Sequence, residues 1–251
     1  MPDSAPNRRN AQAPTHEATS VSPDRRALLR GIVAGAAGIG VTVAGCTDEE
    51  PRRLLALGDS YTVGTGVEED DRWLAGLVGR LRADGIDLAE PELIAAAGWT
   101  TADLASGIRT RAPDDDHDVV TLCIGVNDVV AERPPEAFAG RFDDLLADAV
   151  SFAAGDPGSV VVATIPDYTV TPVGARVSTD ETVERLETYN GIVREAAAAR
   201  ESRLVDLVAP SRAAADDPTL IAGDDLHPSA AQHDLWLDRF EPAVRAALDS
   251  R

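Results

Sequence analysis

Residues that could act together in acyl transfer lie at two separate points of the chain. The segment Gly58–Gly66 (GDSYTVGTG) directly follows the apolar run Leu54–Leu57, which places a serine where a buried strand ends. The segment Asp224–Pro228 (DDLHP) holds a carboxylate and an imidazole three residues apart, a spacing that lets both side chains point the same way over one turn. A hydroxyl nucleophile, a base and an acid that orients the base are therefore all present.

Two further short segments follow strand-like runs in the same way. Ala97–Thr101 (AGWTT) comes directly after Leu93–Ala96, and Gly125–Asp128 (GVND) comes directly after Val119–Ile124. With the serine and histidine segments they make four blocks whose order and spacing resemble the SGNH (GDSL-type) hydrolase family. The resemblance covers the chain from Arg52 to the C-terminus. It implies an enzyme that cleaves carboxylic esters through an acyl-enzyme intermediate, with no metal ion and no cofactor.

The family is named after four residues, which in this chain are Ser60, Gly98, Asn127 and His227. The resemblance implies that Ser60 is the nucleophile and that His227 is the general base that takes its proton. It also implies that the backbone N–H groups of Ser60 and Gly98 and the side-chain amide of Asn127 form the oxyanion hole. Asn127 on its own would more simply cap a loop, but its position inside the GVND block favours the functional role.

Two neighbouring aspartates compete as the partner of His227. Adjacent side chains diverge, and the family motif uses the residue three before the histidine, so Asp224 rather than Asp225 is predicted to orient the imidazole. Asp59 is predicted to hold the serine loop through backbone hydrogen bonds rather than to join the chemistry. Ser60 can cap the turn after its strand and serve as the nucleophile at the same time.

Strand-like and helix-like runs alternate along the chain, which predicts an α/β fold with a parallel sheet covered by helices on both faces. The family resemblance implies a three-layer α/β/α sandwich whose five-stranded, flavodoxin-like sheet has the order 2-1-3-4-5. In the last helix Trp236, Phe240 and Val244 recur at helical spacing and are predicted to pack in the core. The predicted strands are Leu54–Leu57, Leu93–Ala97, Val119–Ile124, Val160–Ile165 and Arg203–Val208, and the predicted helices are Arg72–Arg82, Thr101–Ile108, Pro135–Ala154, Thr179–Glu201 and Ser229–Leu248.

Other candidate sites are weaker. The run Asp114–Asp118 (DDDHD) could suggest a metal site, but consecutive loop residues rarely converge on one ion, so a solvated acidic loop is predicted. His233 lies on the last predicted helix, where a surface or satisfied position is expected, and Cys123 is predicted to be a small buried apolar residue. The sequence has no zinc-ligand spacing, phosphate-binding loop or dinucleotide fingerprint, and it lacks the Gly-x-Ser-x-Gly elbow of α/β-hydrolases.

The composition is strongly acidic and contains no lysine. All 23 basic residues are arginine, against 43 Asp and Glu, and the formal net charge is −20. The first 45 residues carry five arginines and three acidic residues, so the rest of the chain carries about −22. Such a surface repels nucleic acid and anionic headgroups. It predicts a salt-adapted, halophilic protein, since codon bias would account for arginine and alanine but not for so large an acidic excess.

The first 45 residues are predicted to be a leader, followed by a tether at 46–52 and one hydrolase domain at 53–251. Asp24–Arg30 (DRRALLR) resembles a twin-arginine export signal, and Gly31–Val43 is a short, weakly apolar stretch. Val43–Cys46 (VAGC) resembles a lipobox, in which Cys46 would become the N-terminus and carry a diacylglyceryl anchor. The alternative is an uncleaved anchor helix. The sequence thus predicts an exported lipoprotein held at the cell-surface membrane.

The predicted activity is hydrolysis of a small-molecule or acylated ester, with short acyl groups favoured because little insertion separates the four blocks. Trp99, beside Gly98, could line the acyl pocket. The alternative is a surface lipoprotein that binds a ligand on this fold without turnover. The presence of Ser60, Asp224 and His227 together favours the enzyme.

Overall fold

A computed structural model describes residues 50–250, and within them five strands form one parallel sheet with the order β2-β1-β3-β4-β5. This order confirms the predicted α/β fold. The predicted leader, Cys46 and most of the predicted tether lie outside the described residues. The strands are β1 (Leu54–Gly58), β2 (Glu92–Ala95), β3 (Val119–Cys123), β4 (Val160–Ala163) and β5 (Arg203–Val205).

The three central strands β1, β3 and β4 are mostly apolar on both faces, as the centre of a sandwich requires. Every residue of β1, β3 and β4 is buried. Helices connect the strands, and the five predicted helices are all present with ends that differ by a few residues. The helices are α1 (Ser60–Val63), α2 (Trp73–Ala83), α3 (Thr101–Arg111), α4 (Val126–Val130), α5 (Pro135–Phe152), α6 (Pro172–Val177), α7 (Asp180–Ala199), α8 (Val208–Arg212) and α9 (Ala230–Leu248).

Capping side chains set where the long helices begin. The Thr100 hydroxyl accepts from the N–H of Asp103 and the Asp103 carboxylate accepts from the N–H of Thr100, a capping box that starts α3. Thr179 and Ser229 are the N-caps of α7 and α9. Both residues were predicted to be helical, and each lies one position before its helix because its side chain caps the first turn.

Two aromatic stacks join the helices in pairs. The rings of Trp73 in α2 and Phe240 in α9 stack with centroids 4.1 Å apart, and those of Phe138 in α5 and Tyr189 in α7 with centroids 4.0 Å apart. Trp236, Phe240 and Val244 are at most 1 % exposed, which confirms that this face of α9 packs in the core. Cys123 is also buried, as predicted.

The register of the strands brings three loops to one edge of the sheet. Gly58 at the end of β1 pairs with Ala95 at the end of β2 and with Cys123 at the end of β3. Ser60, Gly98 and Asn127 follow these three residues by only two to four positions. The predicted site residues therefore follow neighbouring strand ends, and Ser60 follows β1, the central strand of the three.

The acidic segment 114–118 departs from the predicted solvated loop at its last two residues, since the Asp118 side chain is only 16 % exposed and accepts from Arg52. Asp114, Asp115 and Asp116 are exposed, but His117 is 1 % exposed and its Nε2 lies 3.4 Å from a carboxylate oxygen of Glu92. The imidazole is buried because His117 lies only two residues before β3, whose residues enter the core. Among the described residues no group of three or more His, Cys, Asp or Glu side chains is placed to hold a metal ion.

The chain enters the domain through two arginines at the opposite end of β1 from Ser60. Arg52, which the sequence places in the tether, donates its N–H to Asp87 and pairs with Leu88 in an isolated parallel bridge. The Arg52 guanidinium donates a hydrogen bond to the Asp118 carboxylate. The Arg53 guanidinium donates to the carboxylates of Asp114 and Asp116. None of the helices in residues 50–250 is long and apolar enough to cross a membrane.

Candidate active site

The serine loop is shaped by Gly58 and Asp59. A Cβ at Gly58 would lie 2.4 Å from the carbonyl oxygen of Cys123 and 2.0 Å from the hydroxyl of Thr62, so only glycine fits where β1 ends. Asp59 is the N-cap of α1, and its Oδ1 accepts from the N–H of Tyr61 at 3.0 Å. Ser60 is consequently the first residue of a helix that begins at the edge of the sheet.

The histidine loop is closed by its own backbone. The N–H of Ala222 donates to the carbonyl of His227 at 2.8 Å, and Ile221 pairs with Pro228. Asp225 makes the sharp turn between them with φ 63°, in the left-handed region. This loop places His227 beside Ser60, and the imidazole Nε2 lies 3.1 Å from the serine Oγ.

Asp224, not Asp225, is the carboxylate on the imidazole. Its Oδ2 lies 2.6 Å from Nδ1 of His227, and its Oδ1 accepts from the backbone N–H groups of Leu226 at 3.0 Å and His227 at 2.9 Å. Partial burial acts to raise the pKa of Asp224, but these hydrogen bonds outweigh it and hold the pKa below its usual value. Asp224 is therefore ionised near neutral pH, and a carboxylate in this position favours the tautomer with the proton on Nδ1 and leaves Nε2 free to accept from Ser60.

Aromatic rings enclose the imidazole on its buried side. The ring of Tyr61 meets His227 edge-on with centroids 6.1 Å apart and meets Trp236 in the same way at 5.5 Å. A cavity of about 20 Å³ borders these three rings, and Tyr168 and Leu226 also line it. The space beside the imidazole is therefore narrow and mostly apolar.

The glycine and asparagine loops meet on the other side of Ser60. Gly98 is exposed and has φ 83°, a backbone conformation that favours glycine. Asn127 lies in α4, and its side-chain Nδ2 donates to the carbonyl of Trp99 at 2.9 Å. An amide NH₂ has two hydrogens, so one remains for a ligand.

Two buried carboxylates lie beneath these loops. Asp59 is 1 % exposed, and burial raises its pKa to about 7, against hydrogen bonds from the N–H groups of Tyr61 and Gly125. Asp128 is also 1 % exposed and accepts from both the N–H and the hydroxyl of Thr101 at 2.8 Å. The sequence prediction assigned the backbone contacts of Asp59 but gave Asp128 no role of its own. The only signal for Asp128 was its position directly after Asn127.

His233 is buried and hydrogen-bonded, which is the satisfied position that the sequence analysis gave as one of two expectations. It is 1 % exposed, its Nδ1 accepts from the N–H of Trp73 at 3.3 Å, and burial lowers its pKa to about 4. This side chain therefore stays neutral near neutral pH and fixes α2 on α9. Its structural role separates it from His227, which lies on the loop before the same helix.

Trp99 lies against α3. A Cβ at Gly107 would be 2.5 Å from Cη2 of Trp99, so the indole occupies space that only a glycine leaves open. Trp99 lines a cleft of about 440 Å³ beside β2 together with Leu93, Ile94 and Arg111. Contact of this side chain with an acyl group stays a prediction.

A serine, an imidazole and a carboxylate in hydrogen-bond contact at the strand ends of an α/β/α sandwich define a hydrolase-like arrangement. Residues 56–235 match the GDSL-like Lipase/Acylhydrolase family, and the chain belongs to this family. It is an ester hydrolase of the SGNH type.

Solved structures share the fold at low sequence identity. TesA is 20 % identical with a TM-score of 0.63, covering 78 % of this chain and 100 % of its own. A lipase/acylhydrolase from Enterococcus faecalis is 19 % identical with a TM-score of 0.61, covering 77 % and 95 %. The acetylxylan esterase Axe2 from Geobacillus stearothermophilus is 21 % identical with a TM-score of 0.58, covering 77 % and 94 %. No curated protein matches the chain significantly.

Proposed function

We propose that the protein hydrolyses carboxylic esters with short acyl groups through a Ser60-His227-Asp224 triad and an acyl-enzyme intermediate. The observation that carries the proposal is the unbroken series of contacts from Ser60 Oγ to His227 Nε2 at 3.1 Å and from His227 Nδ1 to Asp224 at 2.6 Å. A serine hydroxyl is a weak nucleophile unless a base within hydrogen-bond reach takes its proton.

The proposed reaction has two halves. Ser60 Oγ attacks the ester carbonyl while its proton moves to Nε2 of His227, and Asp224 stabilises the imidazolium that forms. The tetrahedral intermediate then expels the alcohol, which takes the proton from Nε2. In the second half, Nε2 removes a proton from water, the water oxygen attacks the acyl carbon, and Ser60 leaves with the returned proton.

The negative charge of both tetrahedral intermediates would fall on an oxyanion hole made by the N–H groups of Ser60 and Gly98 and by the Asn127 amide. Three features support this assignment: the shared strand-end edge, the open surface at Gly98 and the second amide hydrogen of Asn127. Donors fixed before the reaction stabilise such a charge without reorganisation.

The preference for a short acyl group is supported by the small insertions between the four sequence blocks, which leave little chain to build a deep acyl pocket. A series of p-nitrophenyl esters from acetate to palmitate tests this preference. We expect kcat/KM to be highest for acetate to butyrate and to fall for longer chains. A maximum at ten or more carbons would exclude the short-acyl proposal, and no turnover of any ester would favour a ligand-binding protein.

We further propose that the protein is exported and anchored through Cys46. The support is the twin-arginine-like and lipobox-like segments, which lie outside the described residues. Replacing Arg25 and Arg26 by lysine should retain the protein inside the cell. Cys46→Ser should be exported without an anchor, and a membrane-bound Cys46→Ser protein would contradict the lipobox.

A further inference from the structure

Asp128 is a buried carboxylate with both of its oxygens committed to one residue of another helix. It lies in α4, is 1 % exposed, and accepts from the Thr101 N–H on Oδ2 and from the Thr101 hydroxyl on Oδ1, each at 2.8 Å. Thr101 is itself fully buried and is the first residue of α3. The two residues are 27 positions apart in the chain, so the link joins two separate loops of the site.

The link runs between the two segments that carry the proposed oxyanion donors. Asn127 directly precedes Asp128, and Gly98 lies three residues before Thr101. A third hydrogen bond crosses the same junction in the opposite direction, from the Asn127 amide to the carbonyl of Trp99 at 2.9 Å. The three hydrogen bonds together fix α4 against the Gly98 loop.

α4 needs such a link because it has little intrinsic stability. It has five residues, and its N-cap Gly125 offers no side chain to cap the first turn. A helix of this length is not stable on its own, so the position of Asn127 depends on what α4 is tied to. A charged acceptor makes shorter and stronger hydrogen bonds than a neutral one.

A buried carboxylate at position 128 is unfavourable unless its hydrogen bonds have a specific role. Burying an ionised group costs several kcal/mol unless it is fully hydrogen-bonded, and an apolar or amide side chain would fill the same space at lower cost. Asp128 carries no arginine partner in the described part of the chain, and both of its carboxylate oxygens accept hydrogen bonds from Thr101.

We propose that Asp128 is a positioning residue of the oxyanion hole, whose carboxylate sets the separation between the Gly98 N–H and the Asn127 amide. This inference rests on the esterase function proposed above. Displacement of a transition-state donor by about 1 Å can cost on the order of 100-fold in rate.

The test compares Asp128→Asn with Asp103→Asn on one soluble p-nitrophenyl ester. Asp103 is the matched control because its carboxylate also accepts from a threonine N–H and hydroxyl, those of Thr100, but it is exposed and acts within α3. We expect Asp128→Asn to lose about 10- to 100-fold in kcat with KM changed less than about threefold. Asp103→Asn should stay within about threefold of the parent in both constants.

A double-mutant cycle with Asn127→Ala separates positioning from general structural damage. If Asp128 acts through Asn127, the double variant should lose at least about tenfold less in kcat than the product of the two single losses. Additive losses, or a wild-type kcat in folded Asp128→Asn, would overturn the inference. If Asp128→Asn does not fold, Thr101→Val is used in its place, because valine keeps the side-chain shape and removes one of the two hydrogen bonds to Asp128. The same double-mutant cycle with Asn127→Ala then tests the positioning role.

The parallel variant Ser60→Ala separates this inference from the proposed function. An inactive Ser60→Ala protein with a fully active Asp128→Asn protein refutes only the positioning role. An active Ser60→Ala protein refutes the proposed mechanism itself.

Discussion

At the scale of single residues, the site relies on carboxylates that each have a different environment. Asp224 is held by three hydrogen bonds and is ionised, whereas Asp59 is buried one position before Ser60 with a pKa raised to about 7 by burial. The same functional group therefore contacts an imidazole in one place and caps a buried helix in the other. Replacing the carboxylate by an amide should therefore affect activity at Asp224 and the pH dependence of stability at Asp59.

Replacing Asp224 by asparagine should lower kcat strongly, because an amide cannot stabilise the imidazolium of His227 and favours the wrong tautomer. We expect a loss of about 100- to 10,000-fold, measured with a soluble ester. Asp225→Asn is the matched control, since Asp225 is exposed and asparagine tolerates its φ of 63°. A larger loss in Asp225→Asn than in Asp224→Asn would reverse the assignment.

Replacing Asp59 by asparagine should change how stability depends on pH. Asp59 keeps its proton in the folded protein up to about pH 7, whereas an unfolded aspartate loses it near pH 4. The folded state therefore binds the extra proton between pH 4 and 7, and this contribution to stability is lost as pH rises through that window. Asparagine does not titrate, so Asp59→Asn should gain stability relative to the wild type on going from pH 4 to pH 8.

The gain should be on the order of 4 kcal/mol in the free energy of unfolding, which corresponds to about three pKa units. Urea unfolding of both proteins at the two pH values measures it, and the contributions of the other titrating groups cancel in the difference. Parallel profiles for the two proteins would show that Asp59 is ionised throughout this range.

At the scale of elements, the long strands and helices could be predicted from the sequence and the short helices could not. Val160–Ala163 is rich in β-branched residues, which predicts a strand, and the apolar residues of α9 recur at helical spacing, which predicts a helix. α1, α4, α6 and α8 have four to six residues, which is too short for a helical period to show.

The candidate site divides in the same way. Ser60, Asp224 and His227 lie in segments whose residue types and spacing predict chemistry, and the structure brings them together. The Asp128–Thr101 link could not be predicted, because it depends on how two short segments meet in space. The burial of His117 was missed because it is set by packing against other elements.

The stack that joins α2 to α9 should contribute strongly to stability. Phe240 is 1 % exposed and stacks on Trp73, so Phe240→Ala should lower the free energy of unfolding by about 3 to 5 kcal/mol through lost contacts and a cavity. Leu235→Ala, on the same helix but 39 % exposed, should cost far less. Chemical denaturation measures the free energy of unfolding of both variants. Equal losses would contradict a strong contribution of the stack to stability.

At the scale of the whole molecule, charge is the dominant property. The net charge of −20 comes from 43 acidic residues against 23 arginines, and the ion pairs of Arg53 and Arg80 each engage two acidic partners. Many exposed carboxylates still face solvent, as in Glu68–Asp71. Self-repulsion among them destabilises the compact state until ions screen it.

Molar salt should therefore raise the melting temperature and the activity above their values in dilute buffer. The screening length falls from about 10 Å at 0.1 M to about 3 Å at 1 M, so repulsion between exposed carboxylates is much weaker in molar salt. Neutralising Glu68, Glu69 and Asp70 to the corresponding amides should weaken this dependence. A melting temperature that does not change with salt would contradict salt adaptation, and codon bias would then explain the absence of lysine.

The central claim, that Ser60 is a nucleophile activated by His227, is tested most directly by covalent labelling with a fluorophosphonate. Mass spectrometry of the labelled protein should find one phosphonyl group on Ser60, labelling at least about 100-fold slower in His227→Ala, and none at that position in Ser60→Ala. Wild-type protein that stays unlabelled at Ser60, or that is labelled equally fast without His227, would contradict the account.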